Sequence, residues 1–255
     1  IKFGLIIGLA ALGLSMIFGT TGLTNFAHGE LITFGAIMTF VFNRGLGFPV
    51  IIAAVAAILA GALFGWAQDR GLWRPLRNRG TGLIAMMIVS IGFAITLRYS
   101  FQYAFGAETK ALNQYVQQTR MTFGPIQIAE KEIVIIVISI LTLALAGLGL
   151  AKTRIGKATR AVADNPALSA TSGLKVNTVI AVVWTLGTAM PALAGAMMAV
   201  DQQVTFRMGY NMLLLVFAAV TLGGVGTIWG SVIGSLIIGW MVEVSPVFGV
   251  PVELK

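Results

Sequence analysis

The chain has 255 residues, 57% hydrophobic and 10% charged, with a mean hydropathy of +0.91; a soluble globular domain carries about 25% charged residues. A soluble core is excluded, and apolar runs near the ~20 residues of a spanning helix, without the alternation of ~10-residue barrel strands, point to a helical membrane protein. The absence of cysteine and the single histidine remove thiol chemistry and a histidine-rich metal site. The net charge of +8 comes from basic residues gathered in two short loops, which reads as a topology signal and not as a nucleic-acid surface.

In chain order, residues 3–20 form a first span, with Gly4 and Gly8 spaced for close helix packing. An unusual stretch follows: Gly22-Leu23-Thr24-Asn25-Phe26-Ala27-His28-Gly29-Glu30. It places an amide, the histidine and a carboxylate between two apolar runs. An ionisable group in a bilayer normally faces a partner or a wet cavity, and open backbone is tolerated there only where it lines protein or water. Two readings fit. Either a membrane helix is broken here, with Asn25, His28, Gly29 and Glu30 turned inward, or a short loop joins two hairpinned helices at the water surface. Residues 31–42 would measure about 18 Å as a helix, short for a full span, which favours a broken or re-entrant element.

Residues 43–49 read as a turn, and 50–67 as the next span. The segment 69–80 holds Arg70, Arg74, Arg77 and Arg79, so it is expected on the cytoplasmic side, with Trp66 and Trp73 as interfacial anchors. Residues 82–105 cross outward; Arg98 would snorkel from near the helix end. The loop 106–132, including Gln114 and Gln117, has balanced charges and is placed outside. Residues 133–150 return inward to a second basic loop, 151–177, on the same side as the first. Residues 178–200 cross outward with a kink expected at Pro191, and 201–207 form an external turn. Two short apolar segments, 210–222 and 231–242, flank a break that contains Gly223, Gly224 and Gly226. Paired interruptions of this kind point to a translocation path; a plain tight hairpin is the alternative. Both chain ends, at Ile1 and at Lys255, are expected to be incomplete.

The second basic loop contains more order than topology requires. Asp164 or Asn165 can act as N-cap, Pro166 suits the first helical position and Gly173 the position after the end. These bracket a short helix over 166–172 whose small residues, Ala170 among them, could enter a groove. Arg154, Lys157 and Ala161 share one face of the preceding stretch, with Arg160 and Asp164 alongside.

The nonapeptide 22–30 resembles the G-L-x-N-F-A-H-G-E signature of LivH-type permeases, the branched-chain amino-acid branch of ABC importers. Residues 153–165, running on to 173–177, resemble that family's cytoplasmic segment, and 218–230 give a third match in order. The resemblance implies a single all-α permease domain over 1–255. This would be a polytopic transmembrane bundle with broken or re-entrant helices and a short cytoplasmic coupling helix, in a bacterial inner membrane. It implies a paired LivH/LivM-type subunit, two ATP-binding subunits and an external solute-binding protein. Coupling would run through Arg154, Gly156, Arg160, Asp164, Pro166, Ala170 and Gly173. Relatives carry urea, short amides and aromatic acids as well, so the solute does not follow. The E-A-A-x-x-x-G pattern of many ABC importers is not literally present before Gly173.

No catalytic residues or metal ligands are expected, and no cofactor on this chain: ATP and magnesium would belong to the partner subunits. No P-loop occurs; the only Gly-Lys pair, Gly156-Lys157, is followed by Ala158 and preceded by Ala151 where the motif needs Gly. The rival reading is an ion-coupled secondary transporter with His28 and Glu30 as its relay. On a helix these two lie about 200° apart, so they cannot form a compact dyad without unwound backbone.

Overall fold

The computed structural model describes residues 1–114, 120–123 and 126–249. Gln117 and the final residues 252–255 lie outside the described residues. The order is α1 (Lys2–Thr21), α2 (His28–Phe40), α3 (Val50–Gln68), α4 (Arg74–Asn78) and α5 (Leu83–Phe105). It continues with β1 (Arg120–Phe123), β2 (Ile126–Ala129), α6 (Glu130–Lys152), α7 (Arg154–Asp164) and α8 (Pro166–Thr171), then α9 (Val176–Asp201), α10 (Met208–Gly223) and α11 (Ile228–Val244). Five helical stretches are long and apolar enough to cross a membrane: Lys2–Thr21, Val50–Asn78, Leu83–Phe105, Glu130–Lys152 and Val176–Asp201. Val50–Asn78 runs α3 into α4 through a π-helical turn, Asp69–Trp73.

Two helices form the centre. α1 is buried from Gly4 to Ile17, and α9 packs against α1, α2 and α3. Between apolar helices in lipid, association depends on close backbone approach at small residues. Gly13 lies against the backbone of Gly187, and Gly65 against Thr188 and the Trp184 carbonyl, where a side chain of any size would collide. α9 remains helical through Pro191. α11 lies antiparallel to α1, with Gly239 beside Gly4, Ser235 beside Gly8 and Gly226 beside Gly19.

The loops expected outside meet one another. Lys110 and Val204 exchange backbone hydrogen bonds of 2.9 and 2.7 Å. The Asn113 N–H donates to Asn43 Oδ1 at 2.8 Å, and the Val50 N–H to Gln114 Oε1 at 3.0 Å. At this same end Lys2 bridges Glu132 and Asp201 at 2.9 and 2.5 Å, tying together the ends of α1, α6 and α9. The other end of α1 sits beside α7 of the second basic loop, with Gly19, Thr20, Thr159 and Arg160 around one small cavity.

Three expectations need correction. Trp73 is no interfacial anchor: it is fully buried and stacks on Trp184 with centroids 5.4 Å apart. The π-helical turn rotates it inward, whereas Trp66 stays half exposed with the Arg70 guanidinium 4.9 Å above its ring. Arg98 does not snorkel outward but turns into the bundle. Residues 223–230 do not interrupt one span; they join two antiparallel helices, with Gly223 against Gly230 and Gly234 against Ala219. The antiparallel hairpin β1–β2, in the loop expected outside, was not anticipated either.

Candidate functional site

The first interruption is built from its glycine outward. Gly22 takes φ 66°, and its N–H closes α1 on the Phe18 carbonyl at 2.7 Å. A residue with a side chain enters this left-handed region only at a cost, so the glycine sets where α1 ends. The chain then returns beside α1 without regular structure until His28 starts α2. Asn25 fixes the turn locally: its Oδ1 accepts the Ala27 N–H at 3.1 Å, and its carbonyl accepts the His28 N–H at 3.2 Å. Ser90 of α5 holds the open backbone, accepting the Phe26 N–H at 3.0 Å while its hydroxyl donates to the Met87 carbonyl at 2.6 Å.

Asn25, His28 and Glu30 are all buried, at 0, 0 and 1% exposure. His28 Nε2 lies 2.9 Å from the Ala10 carbonyl oxygen of α1; a carbonyl only accepts, so Nε2 carries the hydrogen and Nδ1 is left as an acceptor. Glu30 points elsewhere. Its Oε1 accepts from Arg98 Nε at 2.9 Å and from Nη2 at 2.7 Å. The Arg98 guanidinium in turn stacks 3.9 Å above the ring of Tyr210 in α10. The one cluster therefore joins α2, α5 and α10. Gly29 reinforces it, because its backbone meets that of Gly209, and the Gly209 N–H donates to Thr33 Oγ1 at 3.1 Å.

Ser90 and Tyr210 were not singled out from sequence, and Arg98 only as a snorkelling residue. The available signal was a lone arginine far inside an apolar run while an unpaired carboxylate stood in another: buried charges are paired.

The second interruption is of another kind. Gly224 and Gly226 have φ 93° and 84° and make a tight turn. Thr227 Oγ1 lies 3.0 and 2.7 Å from the carbonyls of Gly223 and Gly224, and Ser15 of α1 donates to the Thr227 carbonyl at 3.0 Å. Gly223, Gly224 and Gly226 thus shape a hairpin and lie apart from the Glu30 cluster.

In the second basic loop Asn165, not Asp164, is the N-cap of α8, accepting the Leu168 N–H at 2.9 Å. Pro166 occupies the first turn. α8 ends at Thr171, one residue before the expected limit, and Gly173 follows at φ 86°. Among its residues Ser169 is buried while Ala167, Leu168 and Ala170 are exposed. Arg154, Lys157 and Asp164 are exposed on α7. Gly156 is buried against the end of α6, and Arg160, exposed like the other three, bends its guanidinium back onto that end.

At the end that gathers the loops expected outside, a cavity of about 560 Å³ opens between α1, α9, α10 and α11. Its lining combines Met198, Met208, Met212 and Leu215 with Gln202, Asn211 and Glu243. Methionines adapt to varied aliphatic shapes, and amides and a carboxylate can meet polar groups.

Among known proteins, residues 1–255 match the family described as branched-chain amino acid transport system / permease component. The chain is 30% identical over 257 residues to the high-affinity branched-chain amino acid transport system permease protein LivH of Escherichia coli K12, covering 94% of this chain and 81% of that protein. It is 29% identical to the permease protein BraD of Pseudomonas aeruginosa, covering 91% and 79%. It is also 29% identical to a probable LivH of Methanocaldococcus jannaschii, covering 91% and 74%. No solved structure matches.

Proposed function

Because the chain belongs to the branched-chain amino acid transport system permease family, we propose that it is the membrane-spanning subunit of an ATP-driven importer. Its solutes would be branched-chain amino acids delivered by an external binding protein. It is a multi-pass inner-membrane protein. ATP and magnesium would be held by two partner ATPase subunits, and a second permease subunit would complete the membrane assembly.

The observation that carries this reading is the cytoplasmic segment. α8 is capped at both ends and presents Leu168 and Ala170 at the face that holds the basic loops. A small exposed apolar helix is what a partner groove accepts, while rim charges such as Arg154 and Lys157 tune association. The cavity supports an amphipathic solute, since an amino acid with an aliphatic side chain needs both kinds of lining. The ion-coupled reading gains no support: His28 and Glu30 are turned to different partners, Ala10 and Arg98, with no hydrogen bond between them among the described contacts.

The test is uptake of labelled leucine into proteoliposomes holding the complete complex. Uptake should require ATP and should be lost with Ala170→Trp, which blocks a groove that fits alanine. Uptake driven by an imposed proton or sodium gradient without ATP would refute the reading.

A further inference from the structure

The joint between α6 and α7 is a single residue, Thr153, and it is closed from both sides. As the last residue of α6's reach, its N–H and hydroxyl both bond the Gly149 carbonyl, at 3.0 and 2.6 Å. As the N-cap of α7, its Oγ1 accepts the Gly156 N–H at 3.1 Å. Arg160, two turns further, reaches back: Nη1 donates to the Leu150 carbonyl at 2.6 Å and Nη2 to the Ala151 carbonyl at 3.2 Å. Helix C-termini leave four carbonyls without intrahelical partners and favour a cation there. Three successive carbonyls of α6, those of Gly149, Leu150 and Ala151, are thus taken up by groups of the joint and of α7. Gly156 permits the approach, because a Cβ there would strike the Leu150 carbonyl. Beyond α7, Asn165 alone separates it from α8.

We infer that Arg160 is a positioning residue that locks α6 and α7 into one rigid lever. Displacement imposed at α8 is then delivered to the cytoplasmic end of α6 and to the neighbouring end of α1. This rests on the reading of α8 as the ATPase contact, and it departs from the expectation that Arg160 itself meets the ATPase. A guanidinium suits the task because its rigid fork reaches two adjacent carbonyls at once, whereas an ammonium is a point donor.

The experiment measures solute carried per ATP hydrolysed, in the reconstituted complex, for the parent, Arg160→Ala and Arg160→Lys. Arg160→Ala loses both charged hydrogen bonds; it should keep its ATPases on co-purification and keep hydrolysing, yet carry at least about tenfold less solute per ATP. Arg160→Lys should fall between. Release of the ATPases would overturn the inference by making Arg160 a docking residue. So would an unchanged ratio. If Arg160→Ala does not assemble, spin labels at Leu145 and Lys157 of the otherwise unaltered complex decide: a distance that stays constant between the ATP-bound and nucleotide-free states supports the lever, and one that changes overturns it. A parent complex that binds no ATPase would refute the proposed function instead, and is distinguished by that control.

Discussion

Two glycine-framed interruptions of apolar helix, at residues 22–30 and 223–230, look alike in sequence and are built differently. In the first, Asn25 braces its own turn, but both ionisable side chains and the open backbone are answered from a distance: His28 by α1, the Phe26 N–H by α5, and Glu30 by Arg98 of α5. In the second, the glycines serve backbone contact, and the capping threonine bonds within its own turn. Glycine marks where a membrane helix stops in both cases. Whether the chain stays inside the bundle or turns at its edge depends on the ionisable groups it carries, which must find partners that only the interior supplies.

The sharpest way to break this contrast is to remove Arg98. Arg98→Ala leaves the Glu30 carboxylate buried without its counter-charge, a change that costs about 3–5 kcal/mol. Thermal denaturation of the purified protein should show a large loss, and Glu30→Gln combined with Arg98→Met should recover much of it. Independent, additive losses would mean that the two groups are not coupled. A smaller effect is expected at Gly29, where a Cβ meets the Gly209 carbonyl. Gly29→Ala should destabilise by about 1–3 kcal/mol, as overpacking does, and a neutral result by the same assay would show that α2 and α10 have room to part. The smallest loss belongs to the second interruption. Thr227→Val removes local capping bonds only and should cost about 0.5–1.5 kcal/mol, with leucine uptake retained; abolished uptake in a stably assembled variant would place the hairpin in the transport path.

Much of the architecture was legible because it follows from solvent and charge. Long apolar runs marked the spans, and the two arginine- and lysine-rich loops were expected on one side of them. The three loops expected on the opposite side then met at one end, through Asn43, Lys110 and Val204. Local capping was legible too: Asn165, Pro166 and Gly173 frame α8 as their chemistry requires. Long-range pairings were not. Arg98 and Glu30 are 68 residues apart, and nothing local distinguishes an arginine that snorkels from one that turns inward. Trp73 misled for a similar reason, since the π-helical turn that buries it against Trp184 leaves no local trace among neighbouring arginines. The contacts that Gly156 and Arg160 make with the end of α6 were not legible, because they depend on the Leu150 and Ala151 carbonyls of another helix.

The difference between the interruptions is measured most directly by thiol labelling, since the chain has no cysteine of its own. A single cysteine would be introduced at Ala27, fully buried, or at Val225, 42% exposed beside the turn, in membranes holding the assembled complex at rest. Ala27→Cys should resist a membrane-impermeant maleimide from both sides, and Val225→Cys should react rapidly once the cytoplasmic face is opened. Rapid labelling of Ala27→Cys, at a rate matching Val225→Cys, would contradict the account and return residues 22–30 to a loop at the water surface.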